Sequence, residues 1–101
     1  MTIEFHAVAG IDEQLIDMLK EQVMQLKHVE KTISRAEIMF RKRGTFLENK
    51  ICELRLTMDR NSIFVLRKAD TFEKAGIQVV RYLRNAVRQH RREAEKKLVA
   101  V

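Results

Sequence analysis

A chain of 101 residues is sized for one domain around a single buried core, and an apolar content of 46% excludes a disordered protein. Its one cysteine, Cys52, excludes an internal disulfide and any four-cysteine zinc site, and fits a reducing compartment. The net charge of +6 makes a phosphate-bearing partner the first class to consider, while no apolar run reaches the length of a membrane span.

The first twenty residues carry acids where a signal peptide would be basic and then apolar, so the expectation is a cytoplasmic chain. Charge is unevenly spread. Residues 1–33 hold Lys20, Lys27 and Lys31 against Glu4, Asp12, Glu13, Asp17, Glu21 and Glu30, a net of −3; the remaining 17 basic and 8 acidic side chains give residues 34–101 a net of +9. An anionic partner is therefore expected to meet the later two-thirds of the chain.

Taken in order, Thr2 to Val8 alternates, with Ile3, Phe5 and Ala7 on one side and Thr2, Glu4 and His6 on the other, which predicts a short strand. Gly10 permits a turn. Asp12 has the position of a helix N-cap, with Ile11 and Ile16 spaced as a hydrophobic staple. Leu15, Leu19, Val23 and Leu26 then mark a helical stripe ending in Lys27 and His28, where positive charge suits the helix dipole.

Ser34 to Arg43 returns to a period of two, with Ala36, Ile38 and Phe40 against Glu37, Met39 and Arg41. Lys50 to Met58 repeats it, with Cys52, Leu54, Leu56 and Met58 against Ile51, Glu53, Arg55 and Thr57. The sequence Asp59 to Ser62 has turn composition, and Ile63 to Lys68 predicts the last strand, whose inward parity the pattern leaves open. Phe40 and Phe64 are expected in the core. Asp70 to Glu73 has capping-box spacing for a second helix, with Asp70 at the cap.

The order β-α-β-β-β-α predicts an α+β fold: a four-stranded mixed sheet with two helices packed on one face. The first two strands are parallel across the helix crossover and the rest antiparallel. One domain is expected over 1–101, with 96–101 a mobile tail. Gly76 interrupts the second helix at a cost of about 1 kcal/mol relative to alanine, which predicts close packing against the sheet or the first helix.

That second helix carries the strongest functional signal. Between Lys74 and Arg92 there is no Asp or Glu, yet Lys74, Arg81, Arg84, Arg88, Arg91 and Arg92 fall there. At 100° per residue, Arg81, Arg84, Arg88 and Arg92 share one side, while Phe72, Ala75, Val79, Leu83, Ala86 and His90 share the other. Solvated helix faces interleave opposite charges at spacings of three and four; this one forgoes those pairs, which points to an external anion.

Several segments together resemble a known family. Asn49 to Leu56 (NKICELRL), Ser62-Ile63-Phe64 after a hairpin turn, and Asp70 to Ala75 (DTFEKA), followed by Leu83-Arg84 and a basic run, are similar to the ribosome hibernation promoting factors. These are also called ribosome-associated inhibitors or sigma-54 modulation proteins, and the similarity spans essentially the whole chain. It implies a non-catalytic, rRNA-binding protein on the small ribosomal subunit, between head and body. There it would cover the tRNA and mRNA sites and stabilise hibernating ribosomes under stress or in stationary phase.

The positions matching the family's rRNA-contacting ones are Arg81, Arg84, Arg88, Arg91 and Arg92, with Lys50 in the third strand. Arg41, Lys42, Arg43, Arg67 and Lys68 join them from charge and position alone. Longer members append a second domain, so this chain reads as a short form. It is expected to be monomeric off the ribosome, with no cofactor, metal, small-molecule substrate or membrane partner.

Other classes stand beside this reading. Three antiparallel strands followed by a basic helix resemble double-stranded RNA-binding domains, so a general structured-RNA-binding module is one alternative. The expected outward parity, Met39, Arg41, Glu53, Arg55 and Thr57, suits phosphate and shape contact rather than base stacking. A small ribonuclease would need acid and base groups together, and nothing in the spacing joins His6, His28 and His90. A basic amphipathic helix also fits an anionic membrane surface, although its apolar side lacks Trp.

Overall fold

The computed structural model describes residues 1–7, 10–45, 47 and 49–99, with side chains through residue 93. The elements follow the predicted order: β1 (Thr2–Ala7), α1 (Glu13–Val29), β2 (Arg35–Lys42), β3 (Lys50–Met58), β4 (Asn61–Ala69) and α2 (Phe72–Val99). Val8, expected to close β1, lies outside the described residues. So do the side chains of the tail expected at 96–101, although the backbone of α2 is helical as far as Val99.

The strands lie in the order β1-β2-β3-β4, with β1 and β2 parallel and the other pairs antiparallel. Phe5 stands opposite Ile38, Ile38 opposite Leu54 and Leu54 opposite Val65, so one apolar row crosses the whole sheet. Because side chains alternate along a strand, that row fixes which face is inner on all four strands at once. Ala36, Phe40, Cys52, Leu56 and Met58 join it, and α1 and α2 cover it with Leu15, Leu19, Val23, Leu26, Ala75, Val79, Leu83 and Val87. Each large apolar side chain buried in this layer stabilises the fold by about 1.5–3 kcal/mol.

Local chemistry sets the helix ends. Asp12 Oδ1 accepts from the Gln14 amide at 2.9 Å, the predicted cap of α1. At its other end, Lys27 Nζ donates to the carbonyls of Lys31 and Ile33 at 2.5 and 2.6 Å, closing the chain reversal into β2. The cap of α2 is Thr71 rather than Asp70: the Thr71 hydroxyl accepts from the Lys74 amide at 3.1 Å. Asp70 instead meets the Lys74 ammonium at 3.1 Å, one residue too early to reach the first free amides of the helix.

The two helices run side by side in the same direction. A Cβ on Gly76 would lie 3.5 Å from methyl groups of Leu15 and Leu19, and further along Arg84 Nη2 donates to Gln22 Oε1. The glycine expected to mark close packing therefore faces the sister helix.

β4 resolves the parity that the sequence leaves open. Its register against β3 turns Ile63, Val65, Arg67 and Ala69 toward the helices and Phe64, Leu66 and Lys68 toward the open face. Phe64 is accordingly not in the core: it is 52% exposed, with the Arg55 guanidinium 5.5 Å from its ring centroid. Ile51 departs the other way. It has outward parity, between Arg41 and Lys68 in register, yet is buried. The hairpin before β4 is also tighter than composition suggests, since Arg60 adopts a left-handed φ of 64° and pairing resumes at Asn61.

Candidate nucleic-acid interface

The phase of α2 is set by its core contacts. Ala75, Gly76, Val79, Val80, Leu83 and Val87 are buried, whereas Ala86 and His90, expected on the apolar side, are half-buried. The buried stripe is thus turned slightly toward α1, where Val80 and Val87 fill the seam. Arg81, Arg84, Arg88, Arg91 and Arg92 are all exposed.

Among the described residues no carboxylate pairs with Arg81, Arg84, Arg88 or Arg92. The Gln22 carboxamide orients the Arg84 guanidinium without cancelling its charge. Helical phase turns the acids Asp17 and Glu21 of α1 away from this seam. Met18, Gln22, Ile77, Val80, Arg81 and Arg84 line a groove of about 220 Å³ between the helices. An apolar floor with cationic lips strengthens interaction with an anion, because low-dielectric walls screen charge less than water does.

Arg91 faces the end of α1. There Glu30 is 4% exposed and accepts from the Thr32 hydroxyl at 2.7 Å and the Thr32 amide at 3.1 Å. These hydrogen bonds, the hydroxyl first, hold the Glu30 carboxyl below its ordinary pKa, and the charges of His90 and Arg91 add to the effect. Arg91 is therefore shared between the exposed stripe and an internal acid.

The strand cations form a second group. Lys42 and Lys50 are register partners, Arg41 and Lys68 flank Ile51 in the next row, and Arg43 follows β2. All sit at the sheet end where β4 passes into α2, and Arg88 lies sixteen residues into that helix, about 24 Å away along its axis. Lys42, Arg43 and Lys68 are exposed, and Lys50 is half-buried with its ammonium 2.5 Å from Asn49 Oδ1. Arg41 pairs with Glu53, which offsets its charge. Arg67 lies on the helix side of the sheet, its guanidinium 4.8 Å from the Tyr82 ring centroid and donating to the Leu66 carbonyl at 2.8 Å.

The eleven cations singled out from the sequence thus separate into an α2 stripe, a sheet-end cluster, and the two engaged residues Arg41 and Arg67. Sequence reading missed Gln22, which stands 62 residues from Arg84 and has no local pattern to reveal it. The three histidines stay apart: His6 lies 3.8 Å from Glu4, His28 is exposed in the last turn of α1, and His90 Nδ1 is 3.3 Å from Asn61 Nδ2. No metal-ligating cluster occurs among the described residues, and no described helix is long and apolar enough to cross a membrane. Burial, with Glu53 adding to it, pushes the Cys52 thiol up to about 12, so it is a packing residue rather than a nucleophile.

No family model and no curated protein sequence matches this chain. Solved structures do. The Protein Y N-terminal domain of Thermus thermophilus superposes with a TM-score of 0.74 at 14% identity, covering 89% of this chain and 99% of that one. A ribosomal subunit interface protein from Coxiella burnetii superposes with a TM-score of 0.62 at 19% identity, covering 89% and 97%. The chain shares their fold over nearly its whole length.

Proposed function

We propose that this chain is a non-catalytic ribosome-binding factor. It docks the α2 arginines on rRNA phosphates of the small subunit, occupies the tRNA and mRNA sites, and stabilises idle ribosomes when growth slows. The observation that carries the reading is the arginine stripe between Lys74 and Arg92, without an acid in that span and exposed along a helix, in a fold shared with a ribosomal subunit interface protein. Lys42, Arg43, Lys50 and Lys68 would supply a second, separate phosphate contact at the sheet end. A ribosomal partner implies a cytoplasmic setting, and inhibition by occupancy requires no covalent step, cofactor or metal.

Co-sedimentation with ribosomes across a salt series tests this. Affinity should fall linearly on a log-log plot with a slope of roughly 0.7–0.9 per phosphate neutralised, so about 3 for a four-arginine stripe. Association indifferent to salt would remove the electrostatic mechanism. Equal affinity for an isolated RNA hairpin and for the ribosome would instead favour a general structured-RNA-binding module.

A further inference from the structure

The arginines occupy only one side of the exposed surface of α2. On its other side, toward the β4 edge, Gln78, Tyr82, Asn85 and Gln89 follow one another at spacings of four, three and four residues, and all four are exposed. At 1.5 Å per residue this stripe is about 16 Å long. It carries no charge, and every member both donates and accepts hydrogen bonds. A merely solvated face would gain more from Glu–Lys pairs, and Asn is a poor residue for the middle of a helix. The one aromatic in the stripe is held in place: the Arg67 guanidinium lies against the Tyr82 ring and is anchored in turn to the Leu66 carbonyl.

Two chemistries therefore lie side by side on one helix. Arginines read phosphate, which RNA and DNA share. Neutral amides and a phenol can read what distinguishes RNA, the 2′-hydroxyl, which lines the wide, shallow minor groove of an A-form duplex beside the base edges. We propose that Gln78, Tyr82, Asn85 and Gln89 form a reading stripe for that groove, while Arg81, Arg84, Arg88 and Arg92 neutralise phosphates of the adjoining strand. Charge complementarity commits the site to a polyanion, since residues 34–101 carry a net of +9 and the single acid at its end, Glu93 beside Arg88 and Arg92, is outnumbered by the four arginines. The inference rests on the RNA-binding reading above and adds to it a preference for ribose over deoxyribose.

The test is fluorescence anisotropy on the full chain with duplexes of about 20 base pairs, one RNA and one DNA of matching sequence, at a single ionic strength. The wild type should favour RNA by about tenfold or more. The variant Gln78→Ala, Asn85→Ala, Gln89→Ala replaces exposed residues with a better helix former, so it keeps the fold. It should bring the RNA-to-DNA ratio to about one while leaving DNA affinity and salt slope unchanged. A wild type that binds both duplexes equally, or a variant that keeps the preference, overturns the reading stripe alone. A wild type that binds neither duplex overturns the reading stripe, and the RNA reading falls with it only if co-sedimentation with ribosomes is lost as well. Tighter binding of polyglutamate than of either duplex overturns it in favour of an acidic protein partner.

Discussion

Arg67 and Tyr82 are stacked across the boundary between β4 and α2, with 4.8 Å between guanidinium carbon and ring centroid. This contact makes Arg67 a support for the helix, and we expect it to contribute less to phosphate binding than the exposed arginines of α2. Arg67→Ala should lower stability by about 0.5–1 kcal/mol and leave the salt slope of ribosome association unchanged. Thermal melting and the co-sedimentation series measure the two effects. A slope reduced by about one would identify Arg67 as a phosphate contact after all.

The exposed stripe answers to a different substitution. Replacing Arg84, Arg88 and Arg92 together with Glu should abolish ribosome association while the far-ultraviolet dichroism stays native, because all three side chains point away from the core. Retention of wild-type pelleting by this variant would reduce the stripe to ordinary solvation.

Gly76 faces α1, and the space beside it admits one methyl group at ordinary contact distance from Leu15 and Leu19. Its φ is not in the left-handed region that favours glycine. Gly76→Ala should therefore stabilise the chain by about 0.5–1 kcal/mol through helix propensity, raising Tm by roughly 2–8 °C. A lowered Tm would mean that the helix pair cannot accept the methyl group.

Glu30 predicts a pH dependence. Its carboxyl, hydrogen-bonded by Thr32 and faced by His90 and Arg91, titrates below its ordinary value in the folded chain. The folded state thus binds fewer protons than the unfolded state in the acid range, so this contribution is present above the unfolded pKa and lost as pH falls through the folded one. Glu30→Gln should be less stable than wild type at about pH 7, and the two melting temperatures should converge as pH falls through the lowered folded-state pKa of Glu30. Parallel curves throughout would show that the charge of Glu30 plays no part.

Much of this was legible locally. The alternation of β2 and β3 separates Ile38 and Leu54 from Met39 and Glu53, and the periodicity of α2 separates Leu83 from Arg84 and Arg88. Periodicity works there because a predominantly polar set on one side leaves one favoured burial phase. β4 offers no such contrast: Ile63 and Val65 compete with Phe64 and Leu66 for the core, and both sets are apolar. Only pairing with β3 decided between them, sending Phe64 to the open face and Arg67 beneath α2.

The sequence by itself determined the element order, the helix phase and the excess of arginine over acid on the last helix, since each depends on neighbours within a turn or two. Tertiary structure alone decided which cations stay available. Whether a guanidinium meets Glu53, Gln22, Tyr82 or solvent depends on side chains brought from other elements, and those distances are set by packing rather than by spacing along the chain.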